Sequence, residues 1–386
     1  MRNSLTAQLL NCLVETLNSR GIVYCHWKSN LYLRDALAKG RDLDLLVTRQ
    51  DARQFENVLM SLDFKRVTDP LQVRLPSVIH YYGLDHTTNE LVHLHVFYHI
   101  ITGESLIKNH CFPLEDSLMY ERLSFVSATN LRIRIALKSM WRRLRHAGKS
   151  KQFASGGRLI AFVGPEATGK STLVKETVSW LGQAFDVSSA HLGKPPSTWL
   201  TFLPNLALPL LRCLVPQHRI SMTARDAGRS NSRGASLLVG LRAVLIAWDR
   251  RALVTKLRRR SANGGIVVCD RYPSTIPGAM DSPRLEVPFG TGWQSKLLGF
   301  LAKLESHIYC RIPPPDLVIR LTVPVEVAIA RNREREAKRE AEDYVLRRHT
   351  AGVIPSFPTA RTIELDTSQT LPQTIHCARR IVWDAL

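Results

Sequence analysis

The stretch IAFVGPEATGKSTL, residues 160–173, reads as a short strand, a loop with two glycines and the start of a helix. Residues 159–163 form an apolar run typical of a buried strand, and apolar side chains recur with helical spacing from residue 173 onward. The loop fits the pattern G-x-x-x-x-G-K-[ST]. Its glycines allow backbone torsions through which successive N–H groups converge on phosphate oxygens, and the helix that follows adds the positive end of its dipole. The sequence therefore predicts a phosphate-binding loop rather than an ordinary turn.

This loop also predicts the cofactors. Lys170 would neutralise the β- and γ-phosphates of a nucleotide, and the hydroxyl of Ser171 would take one Mg²⁺ position. We therefore expect ATP and Mg²⁺. The predicted nucleotide contacts are Gly164, Pro165, Glu166, Ala167, Thr168, Gly169, Lys170, Ser171 and Thr172.

A second predicted strand, residues 266–269, ends in Asp270, Arg271 and Tyr272. A carboxylate at the carboxyl end of a core strand lies beside the phosphate loop in an open parallel sheet, where it can hold Mg²⁺ or orient an acceptor. The planar guanidinium of Arg271 suits an acceptor phosphate or the transferring group. The alternative is an aspartate that only caps the strand.

A third strand, residues 317–321, precedes a helix that begins at residue 325 and contains Arg331, Arg333 and Arg335. Such a cluster can close over a transferring phosphoryl group and stabilise its charge, although Glu334 and Glu336 also fit a solvated helical face. A last strand, residues 362–365, and an amphipathic helix end the chain. The pattern predicts an α/β domain with a parallel sheet flanked by helices.

In this order the motifs resemble those of the thymidylate kinase branch of the P-loop nucleoside monophosphate kinases, over residues 160–386. The resemblance also rests on Ala247-Trp248-Asp249-Arg250 and Pro315-Asp316-Leu317. It implies that the segment around residues 367–371 lies near the adenine. It implies catalytic roles for Lys170, Asp270, Arg271, Arg331 and Arg335, and acceptor binding by Arg250, Arg271 and Tyr272. The metal would be held by Ser171 and Asp270.

One substrate-side segment departs from this family. Thymidylate kinases carry T-R-E-P-G-G-T after their second strand, where an arginine helps to hold the thymidylate phosphate. This chain has SSAHLGKPPSTW at residues 188–199 instead. We therefore expect kinase chemistry with an acceptor other than thymidylate, which the sequence leaves open as a nucleotide, a sugar or another phosphate-bearing molecule.

The first 150 residues contain a different pair of acids. Asp42 and Asp44 alternate with leucines in a predicted strand, so both carboxylates project from one face and suit a divalent metal that carries nucleotide phosphates. This segment resembles the small bacterial nucleotidyltransferases, a smaller α+β fold. That family has a third carboxylate on a later strand, whereas residues 90–98 offer His93 and His95. A degenerate binding module and a solvated strand edge remain alternatives.

Five histidines lie close together in sequence, and no metal site is predicted from them. No cysteine or glutamate falls near them at zinc-ligand spacing, and histidines on a sheet face are commonly structural. They are His80, His86, His93, His95 and His99.

The chain has 386 residues, enough for two cores. We expect a nucleotidyltransferase-like domain at residues 1–147, a linker at 148–157 and the kinase-like domain at 158–386. Seven scattered cysteines form no disulfide framework and favour a reduced, cytoplasmic setting. The beginning of the chain lacks the features of a secretory signal peptide.

The formal net charge is +20 at pH 7. It predicts electrostatic attraction to anionic surfaces or polymers, including a membrane periphery or nucleic acid. A predicted helix at 131–145 carries a basic face, which also fits an interdomain helix. Residues 199–216 are apolar but contain three prolines, which favours an acceptor-side insertion over a spanning helix; contact with a membrane surface is left open. The oligomeric state stays open, a dimer included.

The function predicted first is an ATP-dependent phosphotransferase that moves the γ-phosphate to a nucleoside monophosphate or another small phosphorylated acceptor. A nucleotide-binding regulatory ATPase is the main alternative, because the phosphate loop alone also fits it. A bifunctional enzyme with an active nucleotidyltransferase domain is the third, and the absent third carboxylate argues against it.

Overall fold

A computed structural model describes residues 8–26, 43–68, 78–104, 108–112, 151–193, 195–198, 201–202, 233–286, 292–334, 340–350, 355 and 357–386. The chain divides into two compact units. The first comprises Met1–Gly156 with Gln183–Asp186, and the second comprises Gly157–Gly182 with Val187–Leu386.

Two helices and eight strands make up the described part of the first unit. The helices are α1 (Gln8–Ser19) and α2 (Ala52–Ser61). The strands are β1 (Tyr24–His26), β2 (Leu43–Val47), β3 (Lys65–Thr68), β4 (Val78–Asp85), β5 (Glu90–Phe97), β6 (Ile100–Glu104), β7 (Lys108–Phe112) and β8 (Gln152–Phe153). Six of them form a mixed sheet in the order β1-β2-β5-β4-β3-β8, in which only β2 and β5 are parallel neighbours. Strands β6 and β7 form a separate hairpin.

Side chains of the central strand β5 alternate between the two faces of the six-stranded sheet. Because side chains alternate along a strand, one set enters the core and the other set lies on the opposite face. The core set packs with helices α1 and α2 and consists of Val92, Leu94, Val96, Leu10, Leu13, Leu17, Phe55, Val58 and Leu59, together with neighbouring apolar residues. His93 and His95 belong to the other face of β5, so the hydrophobic pattern fixes which way the histidines point.

Three expectations from the sequence concern the linker, the basic helix and the apolar segment. Gln152 and Phe153, predicted within the linker, form β8 and pair with β3, because their extended backbone completes the edge of the sheet. The division between the units falls after Gly156. The basic helix predicted at 131–145 lies outside the described residues, as does most of the apolar segment 199–216. No helix in the described part of the chain has the length and apolar character needed to cross a membrane.

The second unit alternates strands and helices. Its strands are β9 (Leu159–Val163), β10 (Val187–His191), β11 (Ile266–Asp270), β12 (Leu317–Thr322) and β13 (Arg361–Asp366). Its helices are α3 (Lys170–Leu181), α4 (Arg233–Ala262), α5 (Trp293–Cys310), α6 (Val325–Arg333), α7 (Glu342–Thr350) and α8 (Leu371–Ala385). All five strands run parallel in the order β10-β11-β9-β12-β13, so the predicted parallel sheet flanked by helices is confirmed.

The position of β9 at the centre of the parallel sheet determines where the candidate site lies. Every residue of β9 and β11 is buried, which explains why both read as continuous apolar runs. The chain leaves β9 toward β10 on one side, and β12 lies on the other side, so the strand order reverses at the carboxyl end of β9. Ligands of open parallel sheets bind in the crevice at such a reversal. The phosphate loop begins there.

Candidate functional site

The loop between β9 and α3 has the backbone conformation that its sequence predicts. Gly164 has φ +155°, and a Cβ added there would lie 2.7 Å from the carbonyl oxygen of Leu321. Ala167 and Gly169 have φ of 62° and 87°, and Gly169 is the N-cap of α3. Alternation of such torsions turns successive N–H groups toward one concave side, which suits an anion. Gly164 therefore meets a steric requirement of the site as well as a torsional one.

Lys170 is the first residue of α3, and its side chain folds back over the loop. Its Nζ donates to the carbonyl oxygens of Gly164 at 3.0 Å and Pro165 at 2.5 Å. The residue is 6% exposed, so its charge lies within the concave loop rather than in solvent. The structure thus places the predicted phosphate-neutralising cation where the loop could receive a polyphosphate.

Ser171 and Asp270, predicted as metal ligands, lie side by side although 99 positions separate them. The hydroxyl of Ser171 donates to Oδ2 of Asp270 at 2.7 Å. Nδ1 of His191 lies 3.3 Å from the same carboxylate oxygen. The other oxygen, Oδ1, is buried and is among the described side-chain atoms that have no hydrogen-bond partner. Two oxygen donors, one of them buried and unpaired, fit a hard cation such as Mg²⁺.

Arg271 stands next to this pair in a left-handed backbone conformation, φ 70°. Its backbone N–H donates to the carbonyl oxygen of Phe162, the penultimate residue of β9, at 3.0 Å, which fixes the turn. The guanidinium donates to Oε1 of Glu166 at 2.9 Å and lies 3.8 Å from Oδ2 of Asp281. Arg271 therefore lies at the phosphate loop, between two carboxylates that the sequence did not indicate as its partners.

Arg250 and Tyr272, predicted as acceptor contacts, are both buried. Arg250 is fully buried, and its donors are directed to Leu192, Gly193, Tyr309 and Asp281, including a 2.5 Å ion pair with the Asp281 carboxylate. Tyr272 is 2% exposed, and its hydroxyl donates to Pro313. In this structure both side chains are packed into the protein, since every donor has a protein acceptor.

The residues that replace the family's arginine-bearing segment are held by helix α4. Asp249 accepts from the backbone N–H of Thr198 at 3.0 Å and from the hydroxyl of Thr201 at 2.6 Å. Arg250 donates to the carbonyls of Leu192 and Gly193, both at 3.0 Å. The Asp249-Arg250 pair therefore anchors the substituted segment.

The predicted arginine lid is described in part. The guanidinium of Arg331 donates to the carbonyl oxygen of Thr367 at 2.6 Å, which joins α6 to the segment predicted near the adenine. Arg333 pairs with Glu342 on α7 and is exposed. Arg335 lies outside the described residues. His349 on α7 lies 2.9 Å from the carbonyl of Glu166, so this helix also contacts the phosphate loop.

Several residues near the phosphate loop were not predicted: Glu166 as a partner of Arg271, His191, Asp281 and His349. His191 could have been found, because it ends a parallel strand at the same edge of the sheet as Asp270. Asp281 lies in an irregular segment whose sequence carries no periodic signal. Its position depends on Arg250 and could not be read from the chain.

In the first unit, Asp44 lies on β2 directly opposite His95 of β5, and their side chains are 2.8 Å apart. Asp42, the second predicted acid, lies outside the described residues. His80 and His93 lie beside His95 on the same face. The structure therefore brings one predicted acid to a group of histidines rather than to a third carboxylate.

Comparisons with known proteins bear on nucleotide binding. No family model matches this chain. The uncharacterized ATP-binding protein YghR of Escherichia coli (strain K12) is 27% identical over 233 residues, 58% of this chain and 86% of that protein. The ATP-binding protein YghS of the same strain is 26% identical over 235 residues, 59% and 94%. A thymidylate kinase of Cyanothece sp. (strain PCC 7425 / ATCC 29141) is 27% identical over 181 residues, 46% and 69%.

A solved thymidylate kinase from Candida albicans is 19% identical and covers 59% of this chain and 90% of its own, with a TM-score of 0.32. The sequence relatives, together with the loop geometry above, support a P-loop kinase-like protein that binds ATP. The comparisons give no support to a nucleotidyltransferase-like first unit.

Proposed function

We propose that the second unit is an ATP-dependent phosphotransferase that acts on a small phosphorylated acceptor other than thymidylate. The observation that carries this proposal is the contact between Ser171 and Asp270 beside the buried Lys170. A strand-end carboxylate beside the loop serine is the metal-holding arrangement of P-loop enzymes that cleave the γ-phosphate, so this contact supports turnover of ATP, and Arg271 beside it supports transfer to an acceptor. A carboxylate with one unpaired buried oxygen there supports a site that holds a metal–nucleotide complex for group transfer.

In the proposed reaction an acceptor oxygen forms a bond to the γ-phosphorus while the bond to the β,γ-bridging oxygen breaks. ADP leaves and the acceptor proton passes to solvent. Lys170 and the loop N–H groups bind the β- and γ-phosphates, and Ser171 with Asp270 would hold Mg²⁺. When bound, Mg²⁺ would neutralise charge on the phosphate oxygens. Arg271 would position the acceptor by exchanging one of its carboxylate partners for an acceptor oxygen.

Arg250 takes a positioning role in this proposal. Its buried guanidinium holds the substituted segment and Asp281, and Asp281 in turn faces Arg271. This network holds the segment at residues 188–199, which departs from the thymidylate kinase pattern, and so supports an acceptor with a different body. Mg²⁺, the cytoplasmic setting and contact with an anionic surface or nucleic acid remain predictions.

A regulatory ATPase is the second candidate. It is favoured by the arrangement of Arg250 and Arg271, because both guanidinium groups already have carboxylate partners in the protein. Such an ATPase would hydrolyse ATP at a rate that no small acceptor changes.

The experiment that tests the proposal measures ADP formation with a panel of nucleoside monophosphates, sugars and sugar phosphates. We expect one acceptor class to raise ADP formation with equal formation of phosphorylated product, and thymidylate to be a poor substrate. Lys170→Ala should lower turnover by orders of magnitude because electrostatic stabilisation dominates phosphoryl transfer. Lys175→Ala, an exposed lysine on the same helix, is the matched control.

Arg271→Ala should raise the acceptor KM or lower kcat with little effect on ATP affinity. Arg258→Ala is its control, because Arg258 forms an ion pair with Asp316, which directly precedes β12 and so lies at the amino-terminal ends of the strands, away from the phosphate loop. ATP hydrolysis that no acceptor accelerates would favour the regulatory ATPase. Full activity of Lys170→Ala would refute both functions.

A further inference from the structure

A cluster of three histidines lies on the face of the first unit's sheet opposite its hydrophobic core. His80 belongs to β4, and His93 and His95 belong to β5. One ring nitrogen from each imidazole can be chosen so that all three lie within 4.8 Å of one another. His80 and His93 are 3% and 4% exposed, while the side chain of His95 is 22% exposed. The cluster is thus closed on two sides and open to solvent at His95.

Strand register produces this cluster. His80 lies directly opposite His95 in the β4–β5 ladder, and Asp44 lies directly opposite His95 in the β2–β5 ladder. Three neighbouring strands therefore present Asp44, His95 and His80 in one row. His93 precedes His95 by two positions on β5 and lies on the same face, since side chains alternate along a strand.

The distances suit a divalent transition metal. Zinc binds imidazole nitrogen at about 2.0–2.1 Å, so two ligands of a tetrahedral site lie about 3.3 Å apart. Nδ1 of His80 and Nε2 of His93 are 3.1 Å apart. All three chosen nitrogens lie within 4.8 Å of one another, so metal binding would require side-chain rotation, which the partial exposure of His95 permits.

Asp44 supplies the second feature of such sites. Its Oδ1 lies 2.8 Å from Nδ1 of His95. A metal-binding histidine commonly donates its other ring N–H to a carboxylate, which fixes the ring and increases the basicity of the metal-binding nitrogen. With Nδ1 held by Asp44, Nε2 of His95 is the nitrogen that can bind a metal.

A cation already contacts this group in the structure. Nζ of Lys151 lies 3.1 Å from Nε2 of His93 and 2.9 Å from the hydroxyl of Tyr82. A bound metal and the Lys151 ammonium would therefore compete for Nε2 of His93.

We propose that His80, His93 and His95 bind a divalent transition metal of the zinc type, with Asp44 orienting His95 and with the fourth position open toward solvent. Three imidazoles with one open position are the ligand set of catalytic rather than purely structural zinc sites. The preference for imidazole nitrogen separates this site from the Mg²⁺ predicted at Ser171 and Asp270. The proposal is independent of the phosphotransferase activity.

The test uses the full-length protein after treatment with a chelator. Zinc binding is measured by isothermal titration calorimetry, and cobalt(II) serves as a spectroscopic probe of imidazole ligation. We expect one zinc per chain in addition to any weak surface sites. His93→Phe keeps an aromatic ring stacked on Tyr82 but removes the nitrogens, and it should abolish this binding. His95→Ala should do the same. His86→Ala, an exposed histidine in the turn between β4 and β5, should bind zinc like the parent.

Two further variants address positioning and charge. Asp44→Asn should weaken zinc binding by about 10–100-fold, the usual cost of losing a carboxylate that orients a ligand. Lys151→Met should tighten it. Circular dichroism establishes that each variant is folded, and the Lys151→Met gain cannot arise from unfolding. Absence of the zinc in the parent, or unchanged zinc binding in both His93→Phe and His95→Ala, would overturn the proposal and leave the histidines as a hydrogen-bonded aromatic cluster.

Discussion

Replacing Arg250 with methionine separates a positioning role from direct acceptor binding. Arg250 is 0% exposed, and it donates five hydrogen bonds to protein atoms. Methionine retains most of the aliphatic volume but removes every donor. The Asp281 carboxylate, whose side chain is 6% exposed, would then lose its buried partner.

The expected loss of stability follows from that buried carboxylate. Removing one partner of a buried ion pair typically costs about 3–5 kcal/mol. For a unit of this size each kcal/mol shifts Tm by about 2–4 °C, so Arg250→Met should lower Tm by about 6–20 °C. Adding Asp281→Asn removes the charge, which Arg271 at 3.8 Å would compensate only in part, and the double variant should recover part of the loss.

Thermal unfolding followed by circular dichroism measures these shifts, with Arg251→Met as the matched control. Arg251 is the next residue, is partly exposed and lies over the Trp248 ring, so its loss should change stability by about 0.5 kcal/mol or less. A Tm of Arg250→Met equal to that of Arg251→Met, with a raised acceptor KM, would refute the positioning role. It would restore Arg250 as an acceptor contact.

Three further predictions concern other parts of the chain. Gly164→Ala should lose about 1–3 kcal/mol of stability and most ATP affinity, because its Cβ would lie 2.7 Å from the Leu321 carbonyl oxygen. Gly292→Ala, at a position with open space around it, is the control. Normal ATP binding by Gly164→Ala would contradict the loop geometry. Burial opposes ionisation of Asp85, but hydrogen bonds from Thr87, Leu9 and Thr88 outweigh it and hold the pKa of this carboxyl below its ordinary value. The resulting stability is present above the unfolded pKa of about 3.9 and is lost as pH falls through the lower folded pKa, so Asp85→Asn should flatten acid unfolding relative to the parent and to Glu90→Gln. Burial, with a smaller effect of Asp270, raises the pKa of the Cys269 thiol to about 12, so iodoacetamide at pH 8 should modify the exposed Cys12 and Cys310 and spare Cys269 until the protein unfolds, as peptide mapping would show.

Much of the second unit could be predicted from local sequence. The strand, loop and helix at residues 159–181 form from contiguous residues, and the buried strands β9 and β11 are continuous apolar runs. The proximity of Ser171 and Asp270 also followed, because parallel strands end at a common edge. The sequence pattern predicts a helix from Thr172 onward, and α3 begins two residues earlier, at Lys170, directly after the left-handed Gly169.

Contacts across distant segments could not be predicted in this way. Arg250 resembled an acceptor ligand in sequence, and only its burial against Asp281 and Tyr309 shows that its donors are used within the protein. The strand β8 could not be recognised within a stretch that has the composition of a linker. It is a strand because it pairs with β3, and its own residues carry no strand pattern.

The sequence by itself determined the phosphate loop, the strand and helix on either side of it, and the position of Asp270 at the carboxyl end of a neighbouring parallel strand. These features depend on neighbouring residues and on the regular geometry of open parallel sheets. The tertiary structure alone decided which carboxylates pair with Arg271 and which histidines meet across β4 and β5. Those contacts depend on strand register and on long-range packing, where a shift of one residue would turn each histidine to the opposite face of its sheet.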